Sequence, residues 1–136
     1  MNLDTLKTAL INDEWLRLKP YRDTVGKLTI GVGRNLDDVG IFRDEAMTML
    51  DNDINRTVVD LQAHLPVFAT LNDVRQNAII NMAFNLGIGG LLKFHHMITA
   101  MEAGDFDQAS AQGLDSAWAK EVGDRATRLM EELKNG

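Results

Sequence analysis

The chain contains no cysteine, and only two of its 136 residues are proline. Without thiols it can build neither a disulfide framework nor a thiolate metal site. Aromatic residues are scarce, at 6%. No run approaches the roughly 18 consecutive apolar residues of a membrane-spanning helix, so no stable membrane insertion is expected. The opening residues, MNLDTLKTALINDEW, lack the basic start and apolar centre of a secretory signal. Synthesis in the cytoplasm is therefore expected, with nothing in the sequence to explain export. A basic excess is also missing, since the formal net charge is −6. That argues against nucleic acid as a general partner.

What is present suits a folded domain. Hydrophobic residues make up 45% and charged residues 25% of the chain, enough apolar surface for a core and too ordinary a charge content for disorder. The length fits one domain, small enough to be built as two lobes around one helix. Charge is unevenly spread. Between Trp15 and Leu36 lie Arg17, Lys19, Arg22, Lys27 and Arg34, with Asp23 as the one acid. This stretch reads either as a solvated hairpin face or as a cleft wall for an anionic substrate.

Periodicity sets out the elements. Leu3, Leu6, Leu10 and Trp15 make a helical stripe that predicts a first helix from about Leu3 to Leu16. Glu14 falls in its last turn. Pro20 stops helix and pushes Lys19 towards an extended conformation. LTIGVG alternates like a strand, with Thr29 on the face opposite Ile30, and DTVG before it predicts a hairpin. RNLDDVG reads as a loop. Leu50, Ile54, Val58, Leu61 and Leu65 predict one long helix over 45–65, ended by Pro66. Asn72 to Leu86, with Asn72 or Asp73 as cap, is apolar on nearly every side and should be the buried central helix, stopped by GIGG. Lys93 to Ala103, Phe106 to Lys120 and Arg125 to Lys134 complete the pattern as three shorter helices. At the start of the long helix, Phe42 occupies the capping position although it cannot accept a hydrogen bond there.

Several motifs fail on inspection. DNDIN imitates the start of a calcium loop, but Arg56 and Gln62 stand where Gly and Glu are required. GVGRNL has Leu36 in place of the third glycine of a dinucleotide fingerprint. His95 and His96 are adjacent, so a shared metal is not expected. Glu14, Asp23 and Thr29 remain. Glycoside hydrolysis needs one carboxyl that donates a proton and a second, ionised one acting on the other face of the sugar. Glu14 beside Trp15 is expected to be desolvated, which favours the neutral acid, whereas Asp23 in an exposed hairpin near Arg22 and Lys27 should stay charged. Spacing alone leaves this signal weak. A helix-end acid, a turn aspartate and a strand threonine would look the same.

The segment DEWLRLKPYRDTVGKLTIGVG resembles the active-site segment of the phage-type lysozymes, the muramidases of T-even and many lambdoid bacteriophages. Their pattern is a Glu on the first helix followed by YxDxxGxxTIGxG, matched here by Glu14, Tyr21, Asp23, Gly26, Thr29, Ile30, Gly31 and Gly33. The resemblance continues in LNDVRQNAIINMAFNLG, FDQASAQGLDSAW and GDRATR, and covers nearly the whole chain. It implies an α+β, mostly α fold, with a small β-hairpin N-terminal lobe and a helical C-terminal lobe joined by a long helix. Residues 1–136 would form a single domain: about 15–44 the β-containing lobe, about 45–65 the connecting helix, and 66–136 with the N-terminal helix the helical lobe. The resemblance further implies Glu14 as proton donor, Asp23 as the carboxylate that activates water, and Thr29 beside that water. It implies Arg125 as a partner of the catalytic glutamate, and Phe84, Asn35 and Gln112 as substrate-binding residues. No metal or cofactor is implied.

The activity so implied is cleavage of the β-1,4 bond between N-acetylmuramic acid and N-acetylglucosamine of peptidoglycan, with inversion, in host cell lysis. The protein would be made in the host cytoplasm and act as a monomer on the wall in the periplasm, after a separate pore-forming protein had permeabilised the membrane. The chain departs from the family at Arg34, where many members carry histidine, so an ion pair there should be rewired. Asn35 replaces a common leucine, the run from Arg34 to Asp44 is short, and the acidic balance differs from that of the basic lysozymes. Two other readings stand beside this one: a lytic transglycosylase giving anhydro-muramic ends, and a catalytically inactive peptidoglycan-binding module.

Overall fold

A computed structural model describes residues 1–136. The chain forms two compact units, Met1–Met49 and Leu50–Gly136. The first holds a helix and a small sheet. Helix α1 runs Leu3–Glu14, with the Asn2 side chain accepting the Thr5 N–H at 3.0 Å. It stops because Trp15 takes φ 66°, a conformation that cannot continue a helix, and the chain turns into a strand. Strands β1 (Leu16–Arg22), β2 (Leu28–Val32) and β3 (Arg34–Asn35) form an antiparallel sheet in the order β1-β2-β3.

The hairpin expectation holds, with two refinements. Pairing of β1 with β2 is interrupted between Arg17 and Tyr21, so that Pro20, which has no N–H to offer, falls in an irregularity of the ladder. β3 was read as loop. It exists because Gly33, at φ 70°, reverses the chain and lets Ile30 pair with Arg34 and Thr29 with Asn35. Thr29 is the one buried residue of this unit.

Helix α1 lies within the Met1–Met49 unit, together with the sheet. Its apolar stripe meets no core, for Leu3, Leu6 and Leu10 are all exposed. Periodicity identifies a helix but does not say what its apolar face will be set against.

Helix α2 runs Arg43–His64, and the division between the units falls within it. Its later stripe supplies Leu61 to the core of the second unit, joined by Leu65 just beyond its end. A 3₁₀ turn follows over Pro66–Thr70. Helix α3, Asp73–Leu91, is capped by Asn72, which accepts the Arg75 N–H at 3.0 Å. Ala78, Ile79, Met82 and Ala83 are buried, but Val74, Asn77 and Phe84 are exposed, so the helix buries one face and not nearly every side as expected. Gly87, at φ 74°, breaks the regular helix where GIGG was expected to end it, and one further turn follows.

Helices α4 (His95–Glu102), α5 (Phe106–Leu114), α6 (Ala117–Val122) and α7 (Asp124–Asn135) complete the unit. Phe106 to Lys120 is therefore two helices, not one. Asp115 leaves the helical region, and the Ser116 side chain caps α6 by accepting the Ala119 N–H at 3.1 Å. Contact between α5 and α7 is close: a methyl group at Gly113 would overlap the Met130 sulfur. Arg75 ties α3 to the last turn of α7, donating from Nε and Nη2 to the Leu133 and Lys134 carbonyls at 2.8 and 3.0 Å. The fold is the lysozyme-like α+β class anticipated, mostly helical with a small N-terminal sheet.

The start of α2 tests the capping argument. Phe42 has the cap's backbone role, its carbonyl accepting the Ala46 N–H at 2.9 Å, and its own N–H donates to Glu45 Oε1 at 2.9 Å. That is half of a capping box; the side-chain half is missing. The ring is 60% exposed, so burial gives little reason to keep it, though Arg34 stacks on it at 5.6 Å. A capping hydroxyl is worth about 0.5–2 kcal/mol against about 0.5–1 kcal/mol for an exposed cation–π contact. Phe42→Thr should thus match or exceed wild-type stability by up to about 1 kcal/mol, and should exceed Phe42→Ala. Thermal melts decide, and a threonine variant melting with or below the alanine variant would refute the capping role.

Candidate active site

Asp23 and Thr29 meet through the backbone of one residue, Lys27. The Lys27 N–H donates to Asp23 Oδ1 at 2.8 Å, and the Lys27 carbonyl accepts both the Asp23 N–H and the Thr29 hydroxyl, each at 2.9 Å. The Val25 N–H also donates to Asp23 Oδ1, at 3.0 Å. Asp23 folds the turn with one carboxylate oxygen, and its Oδ2 stays available. The Thr29 hydrogen is committed to Lys27, so Oγ1 presents its lone pairs as an acceptor. Thr29 is 4% exposed, held between its partners Tyr21 and Asn35. Lys27 was read only for its charge; its backbone is what joins the two residues, and a hairpin numbering alone could have located it.

Glu14 ends α1 and lies against the backbone at Gly33. The expected desolvation is absent: Glu14 is exposed, and Trp15 is 66% exposed. The reason is the turn at Trp15, which follows a helix that buries none of its residues.

The local positive charge is largely neutralised within the unit. Lys27 pairs with Asp38 at 3.0 Å, and that bond raises its pKa. Arg22 donates to the Gly26 carbonyl at 3.0 Å and lies 3.8 Å from Asp37. Arg17 stacks on Tyr21 at 4.4 Å. Arg34 forks onto both oxygens of Glu45 at 2.9 Å and also donates to the Gly40 carbonyl. The stretch from Trp15 to Leu36 looked cationic because its partners lie just beyond it. The rewired ion pair anticipated at Arg34 is this one with Glu45. Asn35 is used twice by Asp38, donating to its carboxylate and accepting its N–H.

Arg125, Phe84 and Gln112 belong to the second unit. Arg125 and Phe84 line one cavity of about 290 Å³ with Leu50, Ile54, Asn77, Ile80 and Asn81. Arg125 is held by Asn81, which accepts from its Nε at 3.0 Å and its Nη2 at 2.7 Å, leaving Nη1 for another partner. The sequence pattern does not single out Asn81, because α3 also carries Gln76, Asn77 and Asn85. Phe84 is 45% exposed on that same helix, not plain core. Gln112 borders a different hollow, of about 240 Å³, with Lys93, His95 and His96.

A sequence model of the phage lysozyme family matches residues 12–134. The chain belongs to that family. Among curated proteins it is similar to the pre-baseplate central spike protein Gp5 of Enterobacteria phage T4, at 36% identity over 92% of this chain and 27% of that protein. It thus spans little more than a quarter of that relative's length. An endolysin of Acyrthosiphon pisum secondary endosymbiont phage 1 is 31% identical, over 82% of this chain and 77% of that protein. A probable T4-type lysozyme of Dictyostelium discoideum is 23% identical, over 98% and 96% of the two chains.

The Arg34–Glu45 pair gives the unit a pH dependence of definite sign. The Arg34 hydrogen bond, then the Phe42 N–H, hold the Glu45 carboxyl below its ordinary value. A carboxyl depressed on folding adds stability that is present above its unfolded value, about 4.3, and is lost as pH falls through the lower folded value. Wild type should therefore lose stability below about pH 4, and Glu45→Gln should lose less over the same range. Parallel melting curves of the two proteins against pH would show the pair to be inert.

Proposed function

We propose that the chain is a glycoside hydrolase cleaving the β-1,4 bond between N-acetylmuramic acid and N-acetylglucosamine in peptidoglycan, with inversion. The observation that carries this reading is the Lys27 backbone, whose N–H engages one Asp23 oxygen and whose carbonyl takes the Thr29 proton, so that Asp23 Oδ2 and Thr29 Oγ1 are left as acceptors for a water. In the proposed step that water attacks the anomeric carbon while Asp23 Oδ2 takes its proton. On the opposite face Glu14 protonates the glycosidic oxygen, and the carbon–oxygen bond to the leaving sugar breaks. Inversion requires the two carboxyls to stand roughly 6.5–9.5 Å apart, with room for the water. Arg125 is assigned the support of the glutamate, and Phe84, Asn35 and Gln112 the binding of the glycan strand.

Family membership and relatives named lysozyme and endolysin support the reading. The role proposed is host lysis, by a monomer made in the host cytoplasm that reaches the periplasmic wall through a membrane opened by another protein.

A transglycosylase would need Glu14 alone and would release anhydro ends lighter by one water; a binding module would release nothing. Mass spectrometry of digested peptidoglycan should show reducing ends. Glu14→Gln should lower the rate by at least about 10²-fold with the fold intact, because an amide cannot donate the proton. Asp23→Asn should keep its turn, since the amide oxygen still accepts from Val25 and Lys27, yet be comparably inactive. Anhydro products, or a Glu14→Gln variant clearing cell walls at more than a tenth of the wild-type rate, would overturn the assignment.

A further inference from the structure

We infer that Gly33 is a positioning residue for Glu14: its missing side chain is the space in which the glutamate carboxyl rests. The inference rests on the reading of Glu14 as proton donor. A Cβ at Gly33 would lie 3.0 Å from Glu14 Oε2, 3.3 Å from Cδ and 3.4 Å from Cγ. These separations are closer than carbon and oxygen ordinarily approach without a hydrogen bond, so the glutamate would have to yield by a few tenths of an ångström. It can yield cheaply, because it is an exposed side chain on the last residue of a helix. The fold would survive such a shift. General acid catalysis would not, since proton transfer requires the donor within hydrogen-bond reach of the leaving oxygen, and a displacement of about 1 Å can cost about 10²-fold.

The arrangement also explains why Glu14 needs such a wall. Its carboxyl is the terminus of an exposed side chain and forms none of the hydrogen bonds that fix Asp23. On one side its position is set by the backbone at Gly33. Because β3 begins at the next residue and pairs with β2, that backbone is carried by the strand that holds Thr29. Donor and water-binding residue are thereby kept to one frame.

Gly31 supplies the control that separates this role from backbone strain. Gly31 and Gly33 share φ 70°, so alanine is strained at both, but a Cβ at Gly31 meets nothing within 4 Å. Gly31→Ala and Gly33→Ala should therefore lose similar stability. On soluble peptidoglycan strands, Gly33→Ala should lose about tenfold or more in kcat beyond the loss in Gly31→Ala, with KM little changed. Carbon-13 labelling of the Glu14 carboxyl gives a reading independent of activity: its resonance should move in Gly33→Ala and stay in Gly31→Ala. Gly33→Asn, which tolerates a left-handed backbone and carries the same Cβ, should move it too and keeps the test open if the alanine variant fails to fold. An unmoved resonance, or equal kcat losses at the two glycines, overturns the inference. A moved resonance in a protein whose Glu14→Gln variant keeps its activity instead overturns Glu14 as the acid and leaves its placement by Gly33 standing.

Discussion

A helix that sets Ala78, Ile79, Met82 and Ala83 along one face has to bury that face. That constraint on α3 organises the second unit. Ile79 and Met82 are fully buried, and the helices packed about them contribute Leu61, Met97, Leu129, Met130 and Leu133. Polar side chains of α3 finish what burial begins. Arg75 satisfies the carbonyls at the end of α7, Asn85 accepts the Trp118 indole N–H at 2.8 Å, and Asn81 holds Arg125. Phe84, on the exposed side of the helix with Asn77, lines two of the hollows beside it. One helix is thus both the centre of the core and the wall that carries candidate binding groups.

The first unit is organised on other terms. With Thr29 as its one buried residue, burial cannot be what specifies its shape. Hydrogen bonds do that: Lys27 to Asp23 and Thr29, Leu28 to the Asp37 carboxylate, Arg34 to Glu45 and Gly40. A frame of this kind is directional. It fixes where an oxygen points more tightly than a hydrophobic contact would, and the proposed chemistry asks for that. The carboxylate and hydroxyl are oriented by backbone groups two to four residues away, and need no distant core.

What could be read from the sequence follows the same division. The Asn72 cap, the buried face of α3, the later stripe of α2 and the DTVG turn are local patterns, and each is found in place. Glu14, Asp23 and Thr29 were singled out by their order and by the family pattern. The failures concern partners. A charge count over Trp15 to Leu36 could not show that Asp37, Asp38 and Glu45 return to neutralise it. The stripe of α1 could not show that it would stay exposed, nor that Glu14 would be exposed with it. β3 was missed because two residues make too short a strand to carry any alternation, and the break at Asp115 because Ser116, a good cap, was read through as helix interior.

Arg34 shows how one substitution moves a chemical sensitivity. At the position where the family resemblance leads to histidine, a titrating ring would link the sheet to its partner only below about neutral pH. A guanidinium stays charged throughout the physiological range and can grip both oxygens of one carboxylate. Here it does so, on Glu45. The same carboxylate accepts the Phe42 N–H at the start of α2, so the sheet and the first turn of the long helix share one anion. The group whose protonation breaks this link is no longer an imidazole but a carboxyl, held below its ordinary value by the bonds it makes. The link is thereby insensitive near neutrality and yields only in acid.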